Sequence, residues 1–541
     1  MGGSVDRILF IGLDGATKTV LAPMFDRGIM PSLQALWQRS AQGSLFSTLP
    51  MVTPVAWTSF LTGCEPDRHG IHEFFRLDAD RRGFRINTAA DIKVPTLWQI
   101  LGATGRKVVS INLPMTYPAP VFPGLVIGGN DAPDHQQAIA CCPSFASRLT
   151  ALAPGFTTRN LWKTRPRTTS ELEATCRKTD AQFQSLVAAA MLADAEVDWA
   201  ALMVQFQNLD GLLHRAWPEL DLDGASCPDR SAVRIVERTL RTLDEACGRL
   251  LELADKRGAA VVALSDHGFG PCRSIINVNG LLQSGGYQRR LSYGTRFQYR
   301  FHRLADRWRR FQGRRGAGAV PGSLSRSVAG EVGCNWNRTV AFAPFGQLSA
   351  CVFLNLQQIQ NASKVDSLRT EIAEYLTAAT HPETGERLFA QAFDVARRYG
   401  YDPAEWGIPD ILAGSVDGIQ AQAKWHPRSK ALIGQDLALP ATHYREGVIA
   451  IQAPGLNPSL PIQGTISQVA PTVLGLLGLP IPPAMQSPIV GPALAPLKTD
   501  TNFSPRDRAS TFRIDPPAPF TPTPILVKSE QRDTSTAAPK R

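Results

Sequence analysis

Six acidic and imidazole side chains stand at the ends of short apolar runs, five after a run and one ahead of it. Asp14 follows the run Ile8-Leu-Phe-Ile-Gly-Leu13. Asp210 and His214 follow Ala200-Ala-Leu-Met-Val-Gln205, four residues apart in Asn208-Leu-Asp-Gly-Leu-Leu-His214. Asp266 and His267 follow Ala259-Ala-Val-Val-Ala-Leu264, and His443 stands just ahead of Gly447-Val-Ile-Ala-Ile-Gln452. A four-residue interval puts two side chains on one face of a helical turn. Carboxylate oxygens and imidazole nitrogens are ligands for zinc or a similar divalent ion. Singly, each has an ordinary explanation: an Asp-Gly turn, a surface ion pair or cap on a helix, a satisfied polar group. Together they make three strand-end acidic sites, two with paired histidines, which points to a metal centre.

Thr53 is the candidate nucleophile. It precedes Pro54 in Val52-Thr-Pro-Val-Ala-Trp-Thr-Ser-Phe60, and Thr followed by Pro reads as an N-cap with Pro at the first helical position. The free N–H groups and positive dipole end of a helix start suit a phosphate. The same residue also reads as a plain cap.

The elements that position these groups follow from the pattern. The apolar runs are short and rich in Val and Ile, as in strands buried on both faces. A fifth run of this kind is Lys107-Val-Val-Ser-Ile-Asn112, and residues 232–256 carry apolar side chains at helical spacing. This alternation predicts an α/β fold with a mostly parallel central sheet flanked by helices on both faces. In such sheets ligands bind beyond the carboxyl ends of the strands. With 43% hydrophobic and 19% charged residues, residues 1–495 read as one globular catalytic domain.

Residues 496–541, rich in Pro, Ser, Thr, Lys and Arg, read as a disordered tail. Residues 286–335 read as a basic helical insertion. Within 289–315, Phe297, Phe301, Leu304, Trp308 and Phe311 form an apolar stripe opposite many arginines. Such a helix can lie on an anionic membrane, cap the active site, or simply pack on the enzyme body. The net charge of +10 suits an acidic or phosphorylated partner, and without a base-reading motif no nucleic acid is expected. The nine cysteines are scattered, odd in number and without a CxxC pair. They argue against a disulfide framework and for a reducing compartment. No signal peptide or membrane-spanning run is evident, so a cytoplasmic location, with a peripheral membrane contact through 289–315 as an option, is expected.

The stretch Thr53 to Ile71, TPVAWTSFLTGCEPDRHGI, resembles the nucleophile segment of the type I phosphodiesterase/nucleotide pyrophosphatase family, part of the alkaline phosphatase superfamily. The matching features are Thr53, Thr62-Gly63, Pro66 and His69-Gly70-Ile71. The resemblance continues through ILFIGLDG at 8–15, the DxxxH at 210–214, SDHG at 265–268, THYREGVIAIQAPG at 442–455 and VAPTVLGLLGLPIP at 469–482. It implies an alkaline phosphatase-like α/β/α sandwich with two divalent metals. One would be held by Asp210, His214 and His443, the other by Asp14, Asp266, His267 and the Thr53 oxygen. Zinc is usual in the hydrolytic members and manganese in the mutases. The implied reaction is hydrolysis of a phosphate mono- or diester, small or lipid-linked, through phospho-Thr53. A phosphomutase or phosphotransferase would use the same site.

Two features depart from the family. Nucleotide pyrophosphatases carry a phosphate-binding Asn about twenty-one residues after the nucleophile; here that position is Phe74, next to His72 and Glu73. His72 either replaces the missing contact or is a satisfied surface histidine. Cys64-Glu-Pro-Asp-Arg68 also spells the CxPxR of sulfatases and some phosphonate hydrolases. In those enzymes the cysteine, converted to formylglycine, occupies the nucleophile position itself, whereas Cys64 falls eleven residues after Thr53.

Overall fold

The apolar runs form the middle of an eight-stranded sheet. From edge to edge its strands are Pro461–Thr465, Ala41–Phe46, Glu446–Gln452, Ala260–Leu264, Ile8–Gly12, Ala201–Gln205, Val108–Leu113 and Gly124–Gly128. Glu446–Gln452 runs antiparallel to both its neighbours; all other pairings are parallel. The computed structural model describes residues 4–133, 138–139, 143–224, 227, 229–289, 332, 334–346, 348–359, 361–423, 432–433 and 439–490. The arginine-rich stripe at 297–311 and the tail at 496–541 lie outside the described residues.

Every residue of the three central strands is buried, because both faces of the sheet are covered. On one face Leu9, Ile11, Val204 and Ala263 pack with Leu186 and Leu250. These last two belong to the long helices Thr169–Glu196 and Arg230–Arg257. On the other face Phe10, Met203 and Val262 meet Trp57, Phe60 and Trp98. Phe60 and Trp98 both stand edge-on to Phe10, with centroids 5.7 Å away, a favoured aromatic geometry.

The outer strands carry weaker signals. Ala41–Phe46 and Pro461–Thr465 contain Gly, Gln and Pro and are partly exposed. Gly43 is dictated by close approach: a Cβ there would lie 1.8 Å from the Ile462 carbonyl oxygen, so only glycine lets these strands pair.

A second, antiparallel sheet runs in the order Ala341–Phe342, Ser349–Leu354, Ile411–Ser415, Phe389–Asp394. The helix Ala362–Ala378 covers one face through Leu368, Ile372 and Leu376. The sequence pattern did not announce this sheet. Its anchor is Asp410, fully buried. Asp410 accepts from Arg81, from Arg369 Nε at 3.0 Å and Nη2 at 2.9 Å, and from the Leu354 amide at 2.8 Å. Asp410→Ala takes the carboxylate partner from buried Arg81 and leaves buried Arg369 with only the exposed Asp366 and Asp402, so a loss of about 3–5 kcal/mol is expected. The measurement is the urea midpoint; an unchanged midpoint would show that the network carries no net stability.

Candidate metal centre

Gly12 pairs in register with Gln205 on one side and Leu264 on the other. The three central strands therefore end level, and the residues that follow them emerge together. Asp14 leaves the first strand in a turn completed by Gly15, whose φ is +74°. A Cβ on Gly15 would fall 2.6 Å from the Phe269 ring, so glycine is required twice over. The Gly15 amide donates to Asp266 Oδ1 at 3.2 Å. Asp14 Oδ2 accepts from Trp57 Nε1 at 3.3 Å and from Gln205 Nε2. Gln205 is held in turn by Asn112, whose Nδ2 donates to the Gln205 carbonyl at 2.8 Å. Trp57, Gln205 and Asn112 escaped the sequence reading; a buried polar residue closing an apolar strand was the available signal.

Asp210 and His214 share the helix Asn208–Arg215, with His214 Nε2 3.5 Å from Asp210 Oδ1. His267 Nε2 lies 3.4 Å from Asp266 Oδ2, 3.6 Å from Asp14 Oδ1 and 4.0 Å from Asp210 Oδ1. His443 stands just ahead of Glu446–Gln452, as the sequence implied. It belongs to a short strand of its own, Ala441–Tyr444, antiparallel to Gly268–Pro271 with His443 opposite Phe269. Since Gly268 directly follows His267, this ladder delivers His443 to the centre. Its Nε2 is 3.0 Å from Asp210 Oδ1 and 3.0 Å from His214 Nε2. The His267 and His443 rings stack with centroids 3.5 Å apart.

The hydrogen bonds fix the tautomers. Nδ1 of His214, His267 and His443 faces the carbonyl oxygens of Ala441, Gly268 and Met51 at 3.0, 3.1 and 2.9 Å. A carbonyl can only accept, so each Nδ1 carries the proton and each Nε2 turns a lone pair inward, the arrangement of metal-ligating histidines. The lone pairs meet only one another and carboxylate oxygens. Asp14 Oδ1, Asp266 Oδ2 and His267 Nε2 are buried with no hydrogen-bond donor among the described residues. A buried cluster of acceptors without a donor is costly unless a cation fills it. Two such groups overlap, Asp210/His267/His443 and Asp14/Asp266/His267, each with ligand atoms within 4.8 Å of one another. His214 adjoins the first through the distances above. His267, assigned from the resemblance to the Asp14 set alone, faces both.

The electrostatics agree. Burial, then the Asp266 and Asp210 carboxylates, hold Asp14 well above the usual carboxylate range. Burial pushes Asp266 up to about 7. Burial lowers His214 to about 4 and drives His267 well below its ordinary value, so both imidazoles are neutral, as ligands must be.

Thr53 opens the helix Thr53–Thr62, all ten residues of which are buried. The N-cap is Val52, one residue earlier than the Thr-Pro pattern implies, and Pro54 occupies the second helical position. The helix start offers fewer amides than expected: Pro54 has none, and the Val55 and Ala56 N–H groups donate to the Val52 carbonyl. Residues on either side of Thr53 touch the ligand cluster. Met51, two residues before it, accepts from His443, and Trp57, one turn after it, donates to Asp14.

Cys64 lies past the Gly63 C-cap at the opposite end of this helix, roughly 15 Å along the axis at about 1.5 Å per residue. Its thiol donates to the Ala484 carbonyl at 3.3 Å, and burial pushes it up to about 11. Mass spectrometry of the Cys64 peptide should therefore find an unmodified thiol; formylglycine there would move the nucleophile assignment.

His72 is not a surface histidine. It is 1% exposed, its ring centroid lies 5.7 Å from that of Tyr399, and burial lowers it to about 3. Phe74, where the family's Asn would stand, is 40% exposed.

A family model described as type I phosphodiesterase / nucleotide pyrophosphatase matches residues 8–433. The chain belongs to this family. His443 falls beyond the matched span, so its place in the centre rests on the geometry above. Among solved structures, phosphonoacetate hydrolase from Sinorhizobium meliloti 1021, in complex with phosphonoformate, aligns with a TM-score of 0.53 and 16% identity, covering 88% of this chain and 96% of that one. Human ectonucleotide pyrophosphatase / phosphodiesterase 5 aligns with a TM-score of 0.47 and 13% identity over the same shares. No curated protein sequence matches. The fold is that of the alkaline phosphatase superfamily, and this member of the phosphodiesterase family is a metal-dependent phosphoryl hydrolase. Among its described residues no helix is long and apolar enough to cross a membrane, and the seven described cysteines form no disulfide with one another.

Proposed function

We propose that the enzyme hydrolyses phosphate mono- or diesters through a covalent phosphothreonine at Thr53. The observation that carries this reading is the convergence of three imidazole lone pairs and three carboxylates, without a donor among them, beside the start of the Thr53 helix. Asp210, His214 and His443 would hold one divalent ion, and Asp14, Asp266 and His267, with the Thr53 oxygen, a second. Three imidazoles among the ligands suit zinc; manganese is the alternative. When bound, such ions acidify a hydroxyl and neutralise charge on the phosphoryl oxygens.

The chain's own contribution is position. Thr53 Oγ forms the bond to phosphorus as the alcohol leaves with a proton; water then displaces Thr53 and restores its hydroxyl. The carbonyls of Ala441, Gly268 and Met51 hold the imidazoles in the ligating tautomer. Gln205, Trp57 and Gly15 orient the two carboxylates nearest the strand ends. Burial keeps bulk water from this array.

The test is a panel of generic phosphomonoester, phosphodiester and sulfate ester substrates with Zn²⁺ or Mn²⁺ supplied. Turnover of at least one phosphate ester is expected, abolished by chelation and restored by the ion. Turnover that survives exhaustive chelation, or that is confined to the sulfate ester, would overturn the reading.

A further inference from the structure

A cavity of about 1190 Å³ borders the end of the helix Asn208–Arg215, which carries Asp210 and His214, and is larger than the roughly 300–1,000 Å³ of sites that hold drug-sized ligands. Four cations line it: Lys163, Arg165, Arg167 and Arg215. Arg215 is the residue after His214 on the ligand-bearing helix. The other three come from one loop, and that loop is pinned to the same helix. Asn208, the first helical residue, accepts from the Leu161 amide at 2.8 Å and donates to the Arg159 carbonyl at 2.9 Å. Gly211 packs so tightly on Trp162 that a Cβ would lie 2.7 Å from it. The basic loop is thus registered to Asp210 and His214 by direct contacts.

The acids lining the cavity offset only part of this charge. Glu219 is engaged by Arg165 at 3.2 Å. Asp229 caps the helix Arg230–Arg257, accepting from the Ser231 and Ala232 amides at 2.9 and 3.2 Å. Glu73 is buried, accepts from the Phe74 amide at 3.2 Å, and burial pushes it up to about 7. Lys163 and Arg167 are both exposed. Cations gathered on one side of a cleft raise the local concentration of anions and make strong charge-assisted hydrogen bonds to phosphate or carboxylate.

We infer that this cavity is a specificity subsite for a second anionic group, phosphate or carboxylate, so that the substrate is a phosphate ester carrying another negative charge beyond its scissile phosphorus. The inference rests on the phosphohydrolase reading of the adjoining centre. Phe74 lines the same cavity. Where the family places a polar contact for the scissile phosphate, this chain presents an apolar surface to the body of the substrate.

The test is calorimetric titration of full-length, zinc-supplied Thr53→Ala protein, in which turnover of the probes is strongly slowed. The probes are butanediol bisphosphate, butanediol phosphate carboxylate and butyl phosphate. At least one doubly anionic probe is expected to bind about tenfold or more tightly than butyl phosphate, the scale of one charge-assisted hydrogen bond. In Lys163→Gln/Arg167→Gln on the same background, that ratio should fall below about twofold. Which probe is preferred distinguishes phosphate from carboxylate. No preference, or a preference that survives the double variant, overturns the inference. Zinc dependence of butyl phosphate binding reports separately on the metal centre. If that dependence is missing while the preference and its loss are both seen, the subsite stands and the reading of the centre falls.

Discussion

Thr53→Ala is expected to lower turnover of the best phosphate ester by about 10³-fold or more, the scale of losing the covalent route while positioning and electrostatic stabilisation remain. Metal content should stay near the wild-type value, because the three imidazoles and three carboxylates that gather the ions are untouched. The fold should survive as well. Thr53 is 7% exposed, and its backbone, not its side chain, continues the helix: the N-cap is Val52, with no side-chain cap bond. Thr53→Ser keeps the hydroxyl at the same place and should retain most of the rate. Acid quenching during turnover of a radiolabelled phosphate ester should leave labelled protein in the wild type and in Thr53→Ser, and none in Thr53→Ala. Wild-type turnover by Thr53→Ala would falsify the covalent mechanism. Loss of both activity and bound metal would instead make Thr53 a structural part of the metal centre.

The candidate ligands were legible because each announces itself locally. A carboxylate after an apolar run, a DxxxH interval and an Asp-His pair are visible without knowing which strands touch. What the chain alone does not display is adjacency. The central strands Ala260–Leu264, Ile8–Gly12 and Ala201–Gln205 are neighbours in the sheet but far apart in sequence, and register between distant strands is set by packing. Only that register brings Gln205 level with Gly12 and so within reach of Asp14. The strand that carries His443 was not legible for the same reason: its two-stranded ladder with Gly268–Pro271 is too short to give a periodic signal. The edge strand Ala41–Phe46 is half-exposed and interrupted by Gly43, and so lacks the continuous apolar run of a buried strand. In the second sheet, Ala341–Phe342 spans two residues, below the length at which alternation can be read, and Phe389–Asp394 is partly exposed without alternating. The basic cavity depends on Asn208 holding the 159–167 segment against the ligand helix, a contact across 47 positions of sequence.

Asp266→Asn should move metal affinity and metal-free stability in opposite directions, which separates a ligand from a merely structural carboxylate. The amide is nearly isosteric, and its oxygen can keep the bond from the Gly15 amide now made by Asp266 Oδ1. Without metal, Asp14 and Asp266 present fully buried carboxylates with oxygens within 4.8 Å. Two like charges at that range in a poorly solvated site repel, and this repulsion, with burial, favours a proton on Asp14 when no metal is bound. Removing one relieves the repulsion, so the chelated variant should melt at or above the temperature of the chelated wild type. Metal binding requires the same crowding, because it is the cation that offsets it. A lost ligand is expected to weaken zinc binding by about 10²-fold or more, since even outer contacts to metal ligands cost 10–100-fold. Through linkage, that removes about 2.7 kcal/mol of zinc-induced stabilisation at saturating metal. The measurements are zinc stoichiometry by elemental analysis and the shift in melting temperature on adding zinc, with Asp198→Asn, an exposed carboxylate paired to Arg7, as the control. A structural role for Asp266 predicts the reverse pattern: a lower melting temperature with chelator present and an unchanged shift on adding zinc. That outcome would remove Asp266 from the metal centre and leave His267 facing Asp210 and His443 as the remaining group.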